Sequence, residues 1–222
     1  NAYNQPVFAF ATTQSGPYYN QVNLSFNAPN KYYFEYYFDM ANETANVSSW
    51  TSNYSNGGMW SKVIYQDGLY VAVSRSGTQR AATSSDATNW TFKNVSNRVW
   101  FGLAYGAGKY VACAYDGYVT YSSDANTWTE VSYAGGWHGI TYANNKFVMV
   151  GTGGKIANST DGVTWTTIVN TNNSNHYWGF VAYGNNTFVA ASITQPIVTT
   201  STDGGVTWAI YNTGFVFSEQ YV

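Results

Sequence analysis

Tryptophan recurs along this chain at a spacing that only a repeated unit produces. Trp50, Trp90, Trp128, Trp165 and Trp208 lie 37 to 43 residues apart, and the first four are each followed by Thr. The other four, Trp60, Trp100, Trp137 and Trp178, each stand five residues before a tyrosine, namely Tyr65, Tyr105, Tyr142 and Tyr183. All nine tryptophans are thereby assigned to two series with one period. A period near 40 residues means a supersecondary unit that buries its apolar face only by stacking against copies of itself.

Within each unit, a second aromatic follows the tyrosine by five residues: Tyr70, Tyr110, Phe147 and Phe188. The residues between are turn formers: Gln66-Asp67-Gly68, Gly106-Ala107-Gly108, Ala143-Asn144-Asn145 and Gly184-Asn185-Asn186. Such stretches between apolar runs predict β-hairpins. The second arm of each is short and almost wholly apolar, as in Val71-Ala72-Val73 and Val148-Met149-Val150, which predicts a strand buried on both faces. No segment has a helical period.

A third feature precedes the recurring Trp: Ser84/Asp86/Trp90, Ser122/Asp124/Trp128, Ser159/Asp161/Trp165 and Ser201/Asp203/Trp208. A short carboxylate at a turn can accept backbone N–H bonds, a Ser hydroxyl can do the same, and the Trp can pack beneath the hairpin. These residues resemble the Asp-box (BNR) repeat of sialidase-like β-propellers, Ser/Thr-x-Asp-x-Gly-x-x-Trp, which the copy with Gly205 matches in full. The other three have one residue fewer before Trp and no glycine aligned with Gly205, so a tighter turn is expected there. Thr44, Asn46 and Trp50 repeat the shortened pattern with Asn in place of Asp. The repetition assigns these residues a structural role.

The expected fold is all-β: a five-bladed β-propeller in a single domain, built of four-stranded repeats of about 40 residues. Blade 1 covers about 2–56, blade 2 about 60–96, blade 3 about 100–134, blade 4 about 137–172 and blade 5 about 178–212, with a terminal strand over about 213–222. Ala2-Tyr3 to Phe8 matches Ala182-Tyr183 to Phe188, which starts the first hairpin at residue 2. Its closing Trp50 then comes late, and a Tyr-rich hairpin inserted at about 13–37 accounts for the excess. A competing parse aligns Phe26 with Tyr65 and leaves residues 1–20 outside the repeat.

Composition limits the function. Only 9% of residues are charged, against about a quarter in an average soluble protein. The net charge is −2 with no basic run, which argues against nucleic acid, and no apolar stretch approaches the roughly 18 residues of a membrane helix. The single cysteine, Cys113, takes the place of Val73 and Val150 and is expected to be buried packing. Resemblance to sialidases implies an arginine triad on successive blades, but only Arg75, Arg80 and Arg98 exist, in or just after one repeat. His138 and His176 are expected as polar residues of blade-to-blade connections. With four of seven Asp already in turns, no catalytic residue, metal site or cofactor is assigned, and the expectation is a non-enzyme.

Binding is the better-supported expectation. In propellers, the connections between blades and those joining second to third strands open on one face, the usual ligand face of the family. Here that face would carry Tyr54, Arg75, Arg98, Tyr115, Asp116, Tyr118, Tyr133, His138, His176 and Tyr177, joined by Tyr32, Tyr33, Tyr36 and Tyr37 of the insertion. Tyrosine suits both sugars and protein surfaces, because its ring stacks while its hydroxyl bonds. Low charge, abundant Asn, Thr, Ser, Tyr and Gly, and nine Asn-x-Ser/Thr sequons look like propeller modules of phage tail fibres and secreted bacterial proteins. The expected role is a structural and adhesive module, extracellular or on a virion. A glycan-binding lectin, or a fibre subunit joined by exchange of its terminal strand, are the alternatives.

Overall fold

The computed structural model describes residues 59–168 and 176–214. The chain divides into two compact units, Asn1–Thr51 and Ser52–Val222, and every described residue belongs to the second. These residues form sixteen strands and no helix. The first sheet holds β1 (Trp60–Gln66), β2 (Leu69–Ser74), β3 (Ala81–Ser84) and β4 (Thr91–Lys93). The second holds β5 (Trp100–Gly106), β6 (Lys109–Ala114), β7 (Tyr118–Ser122) and β8 (Thr129–Ser132). The third holds β9 (Trp137–Ala143), β10 (Lys146–Gly151), β11 (Ile156–Ser159) and β12 (Thr166–Ile168), and the fourth β13 (Trp178–Gly184), β14 (Thr187–Ser192), β15 (Ile197–Ser201) and β16 (Ala209–Asn212). In each, every strand pairs antiparallel with the next in sequence.

The first two strands of each sheet are joined by a two-residue turn with both central residues left-handed: Asp67 and Gly68, Ala107 and Gly108, Asn144 and Asn145, Asn185 and Asn186. This is the type I′ geometry, whose twist matches that of the strands it connects. It sets a register in which Tyr65 faces Tyr70, Tyr105 faces Tyr110, Tyr142 faces Phe147 and Tyr183 faces Phe188. The four pairs of rings lie 4.5, 4.7, 4.6 and 4.6 Å apart.

The turn between third and fourth strands is built by its own side chains. Asp86 accepts from the backbone N–H groups of Thr88 and Asn89, Asp124 from Asn126 and Thr127, and Asp161 from Val163 and Thr164. Asp203 reaches one residue further, to Val206 and Thr207, as its longer turn requires. Each Ser hydroxyl bonds its Asp, and the indoles of Trp90, Trp128 and Trp208 donate to Ala87, Ala125 and Gly205. One detail of the sequence reading is corrected by this pattern. Ala87, Ala125 and Gly162 occupy the place of Gly205, three residues before Trp and left-handed like it, so the residue missing from the short turns is the counterpart of Gly204.

The second strands of the first three sheets are almost wholly buried, Cys113 included. They hold the sheets together in a repeating contact. Val71 and Val73 pack with Trp100 and Leu103, Val111 and Cys113 with Trp137 and Ile140, and Val148 and Val150 with Trp178 and Phe188. Full burial of a side chain such as Phe188 is worth about 1.5–3 kcal/mol. At the two ends of the series the same faces are open: Trp60 is 41% exposed and Phe180 69%, while Trp100, Trp137 and Trp178 are fully buried.

The described residues thus form four sheets rather than the five expected. The expected first blade, its insertion at 13–37, and the turn of Thr44, Asn46 and Trp50 lie outside the described residues, as do 215–222 of the terminal strand.

Candidate functional site

Every inner strand carries a β-bulge at the residue after its first tryptophan. Trp60 pairs with Ser74 and Lys62 with Val73, so Ser61 is left out of the register. Phe101, His138 and Gly179 are left out in the same way. A bulge re-aims the side chain it frees. Ser61 turns across to donate to the carbonyls of Val73 and Trp100, while Phe101 and His138 turn towards the loop end of the sheets. His138 therefore belongs to strand β9, and the expectation that it sits in a connection is corrected.

At that end the residue following each second strand is pinned. Arg75, Tyr115, Thr152 and Ile193 donate their backbone N–H groups to Met59, Val99, Gly136 and Tyr177, the residues preceding the four inner tryptophans. Two of these pinned residues meet the two bulged rings. The Phe101 ring lies 4.3 Å from that of His138 and 6.2 Å from that of Tyr115, and the guanidinium carbon of Arg75 is 5.1 Å from the Phe101 centroid. Tyr177 completes the row from the fourth sheet, its hydroxyl 2.6 Å from Nε2 of His138. All four sheets thus contribute to one rim of Arg75, Phe101, Tyr115, His138 and Tyr177.

The rim is electrostatically unusual. Burial, and secondarily the charge of Arg75, hold the His138 pKa below its ordinary 6.5, so the imidazole is neutral at neutral pH. Burial, followed by the neighbouring Tyr115, raises that of Tyr177. The Nε of Arg75 is buried without a hydrogen-bond partner.

A second group stands beside the rim, on the second sheet and the loop that precedes it. The guanidinium carbon of Arg98 lies over the Tyr118 ring, 3.4 Å from its centroid, and the group grips Glu130 through two bonds of 3.0 and 3.2 Å. Its third partner is Asp116, at 3.4 Å. Burial works against the Glu130 charge, but Arg98 and Ser96 outweigh it and hold the carboxyl below its ordinary value. These groups brace one wall of a cleft of about 560 Å3 lined by Tyr115, Asp116, Tyr118, Ser132, Thr152 and Lys155, with a floor of backbone at Gly135 and Gly136.

Of the residues expected on the ligand face, Arg75, Tyr115, His138 and Tyr177 come together in the rim, and Arg98, Asp116 and Tyr118 at the cleft. Tyr133 is instead a brace: it stacks on Trp137, accepts that indole's N–H at its carbonyl, and bonds Thr167 through its hydroxyl. His176 is engaged with Gln195. Tyr32, Tyr33, Tyr36, Tyr37 and Tyr54 lie outside the described residues. Sequence reasoning missed Phe101 and Glu130. Phe101 stands directly after Trp100 as His138 does after Trp137, and this alignment was the available signal. Nothing in the sequence marks Glu130.

Four four-stranded antiparallel sheets, linked in sequence order and packed inner strand beside inner strand, fit a β-propeller. No known protein family and no curated protein matches the sequence. Solved structures do match. YCF48 bound to D1 peptide superposes with a TM-score of 0.57 at 13% identity, over 71% of this chain and 54% of that one. Virginiamycin B lyase from Staphylococcus aureus, in a catalytically inactive histidine-to-alanine form with quinupristin, gives 0.61 at 13% identity, over 70% and 56%. An ancestral GH74 enzyme gives 0.57 at 17% identity, over 69% and 24%. The match spans about half the length of the first two. At these identities the likeness is one of fold. The expectation of a non-enzyme is corrected by them, since a lyase and a GH74 enzyme share this architecture and a propeller poor in charge does not exclude catalysis.

Proposed function

We propose that this protein is an adhesive propeller that recognises saccharide at the loop end of its sheets. The observation that carries the reading is the cleft between the second and third sheets, where the faces of Tyr115 and Tyr118 stand beside the hydroxyls of Ser132 and Thr152 and the charges of Asp116 and Lys155. Aromatic faces pack on the C–H surfaces of sugars, and the polar groups fix orientation. The brace of Arg98 on Tyr118 lowers the ordering cost of binding. Low charge and the sequons support an extracellular or virion-surface setting. A glycan array probed with the full chain tests the reading. Binding weakened by Tyr115→Ala and by Tyr118→Ala is the expected result; a blank array, or binding indifferent to both, would overturn it.

Turnover of the bound sugar is a second reading, favoured by the neutral His138 beside the Tyr177 hydroxyl, a pair suited to proton transfer. Cleavage lost in His138→Ala with binding retained is its test.

We also infer that segment 2–56 supplies a fifth blade related to the Asp-box repeat. The match of Ala2-Tyr3 to Ala182-Tyr183 and the Thr44/Asn46/Trp50 pattern support this. A chain of 59–222 that keeps the full-length melting temperature would count against it.

A further inference from the structure

The rim beside the cleft narrows the ligand class, given the saccharide reading on which this inference rests. Among the described cations at this end, Arg98 is neutralised by Glu130 and Asp116, Arg80 donates to the carbonyls of Gly77, Arg75 and Arg98, and Lys155 to that of Ala134. Among the described residues Arg75 has no acid and no side-chain acceptor, and its Nε is already removed from water. An N–H that is buried and unpaired is a standing cost, removed when a ligand brings an acceptor. The guanidinium is held on the Phe101 ring, so its fork is fixed in direction before any ligand arrives.

The surroundings select the acceptor. A carboxylate is planar and matches a guanidinium fork with two parallel bonds. The Tyr177 hydroxyl and the His138 ring stand on the neighbouring inner edge as neutral polar groups, and the half-exposed Tyr115 connects the rim to the cleft. Arg75 carries the one described guanidinium with no hydrogen-bond partner, which suits a single carboxylate, and Asp116 and Glu130 nearby oppose a polyanion such as nucleic acid. The tyrosine faces and hydroxyl-lined cleft beside it favour a sugar as carrier of that charge. We propose that Arg75, with Tyr115, His138 and Tyr177 around it, binds the carboxylate of a uronic-acid saccharide whose neighbouring residue occupies the cleft.

The test is calorimetric titration of the full chain with tetragalacturonate and with the neutral galactotetraose. The acidic sugar is expected to bind about tenfold more tightly. Arg75→Lys, which keeps the charge but loses the fork, should remove most of that preference. Tyr115→Ala, at an exposed position, should weaken both sugars. Equal binding of the two, or a preference that survives Arg75→Lys, would overturn the carboxylate site while leaving the saccharide reading intact. Binding of neither overturns both. Tighter binding of a peptide with a free C-terminal carboxylate, or of a sulfated galactan fragment, would overturn the sugar-acid assignment.

Discussion

The Tyr177 hydroxyl lies 2.6 Å from Nε2 of His138, although the two residues are 39 positions apart and belong to different sheets. Their meeting has two causes. The bulge after Trp137 takes His138 out of the ladder, and the carbonyl of Tyr177 is fixed by the N–H of Ile193, which sets the approach to β13. The pair faces Tyr115 on one side and the charge of Arg75 on the other.

The first prediction concerns that charge. His138 should titrate below 6.5, because burial and Arg75 both disfavour the imidazolium. Arg75→Gln removes the second effect and leaves the first, so the midpoint should rise without reaching the ordinary value. Proton NMR of the imidazole across pH 4–8 measures both. A wild-type midpoint at or above 6.5 would contradict the geometry of the rim.

Acid should undo the four Asp turns together. Asp86 is held below its ordinary value chiefly by the backbone and side-chain N–H groups of Asn89, and Asp203 chiefly by Thr207. Burial opposes the charge of Asp161, yet the N–H groups of Thr164 and Val163 bring it down to about 2. A carboxyl lowered on folding contributes stability that is complete above its unfolded pKa of about 3.9 and lost as pH falls through the folded value. The melting temperature should therefore drop between about pH 4 and pH 2, and the drop should be shallower in Asp161→Asn. A flat profile over that interval would show that the turns carry no folding free energy.

Two glycines should respond unequally to alanine. A Cβ on Gly151 would come 2.1 Å from the carbonyl oxygen of Gly136, backbone against backbone, at the junction that pins Thr152. Gly151→Ala is expected to cost about 1–3 kcal/mol. Gly184, also in a strand but with nothing within 4 Å, should accept alanine with a change within about 0.5 kcal/mol. Urea denaturation of both variants distinguishes them, and equal effects would contradict the packing described here.

Ala87 occupies the left-handed place that Gly205 fills in the longest turn, with φ of 60°. An exposed alanine held there is strained relative to glycine. Ala87→Gly is expected to raise stability by about 0.5–1 kcal/mol, net of the greater freedom of the unfolded chain. A lower melting temperature in the variant would show that the methyl group has a packing role.

The hairpins, the Ser-x-Asp turns and the sheet order were legible in the sequence because their causes are local. Asp161 and the N–H groups it binds lie within four residues, and Asn144-Asn145 carries its turn type in its own backbone preferences. The apolar second strands were legible for a related reason, since a strand covered on both faces must be apolar throughout. The binding end was legible only in part. Position in the repeat brought Arg75, Tyr115, His138 and Tyr177 to one end, but it gave no direction to their side chains.

That direction was decided by tertiary structure. Whether His138 points into a sheet or out to the rim depends on a one-residue bulge, and a shift of one residue reverses the face of every side chain beyond it. Which acid neutralises Arg98 depends on β8 being brought beside the loop before β5, so Glu130 rather than a sequence neighbour takes that role. Among the described residues the same packing leaves Arg75 without an acid and places it over a phenylalanine. Short-range hydrogen bonds and a 40-residue hydrophobic period are written along the chain. The pairing of charges between sheets is not, because it is settled by distances that exist only once the sheets have packed.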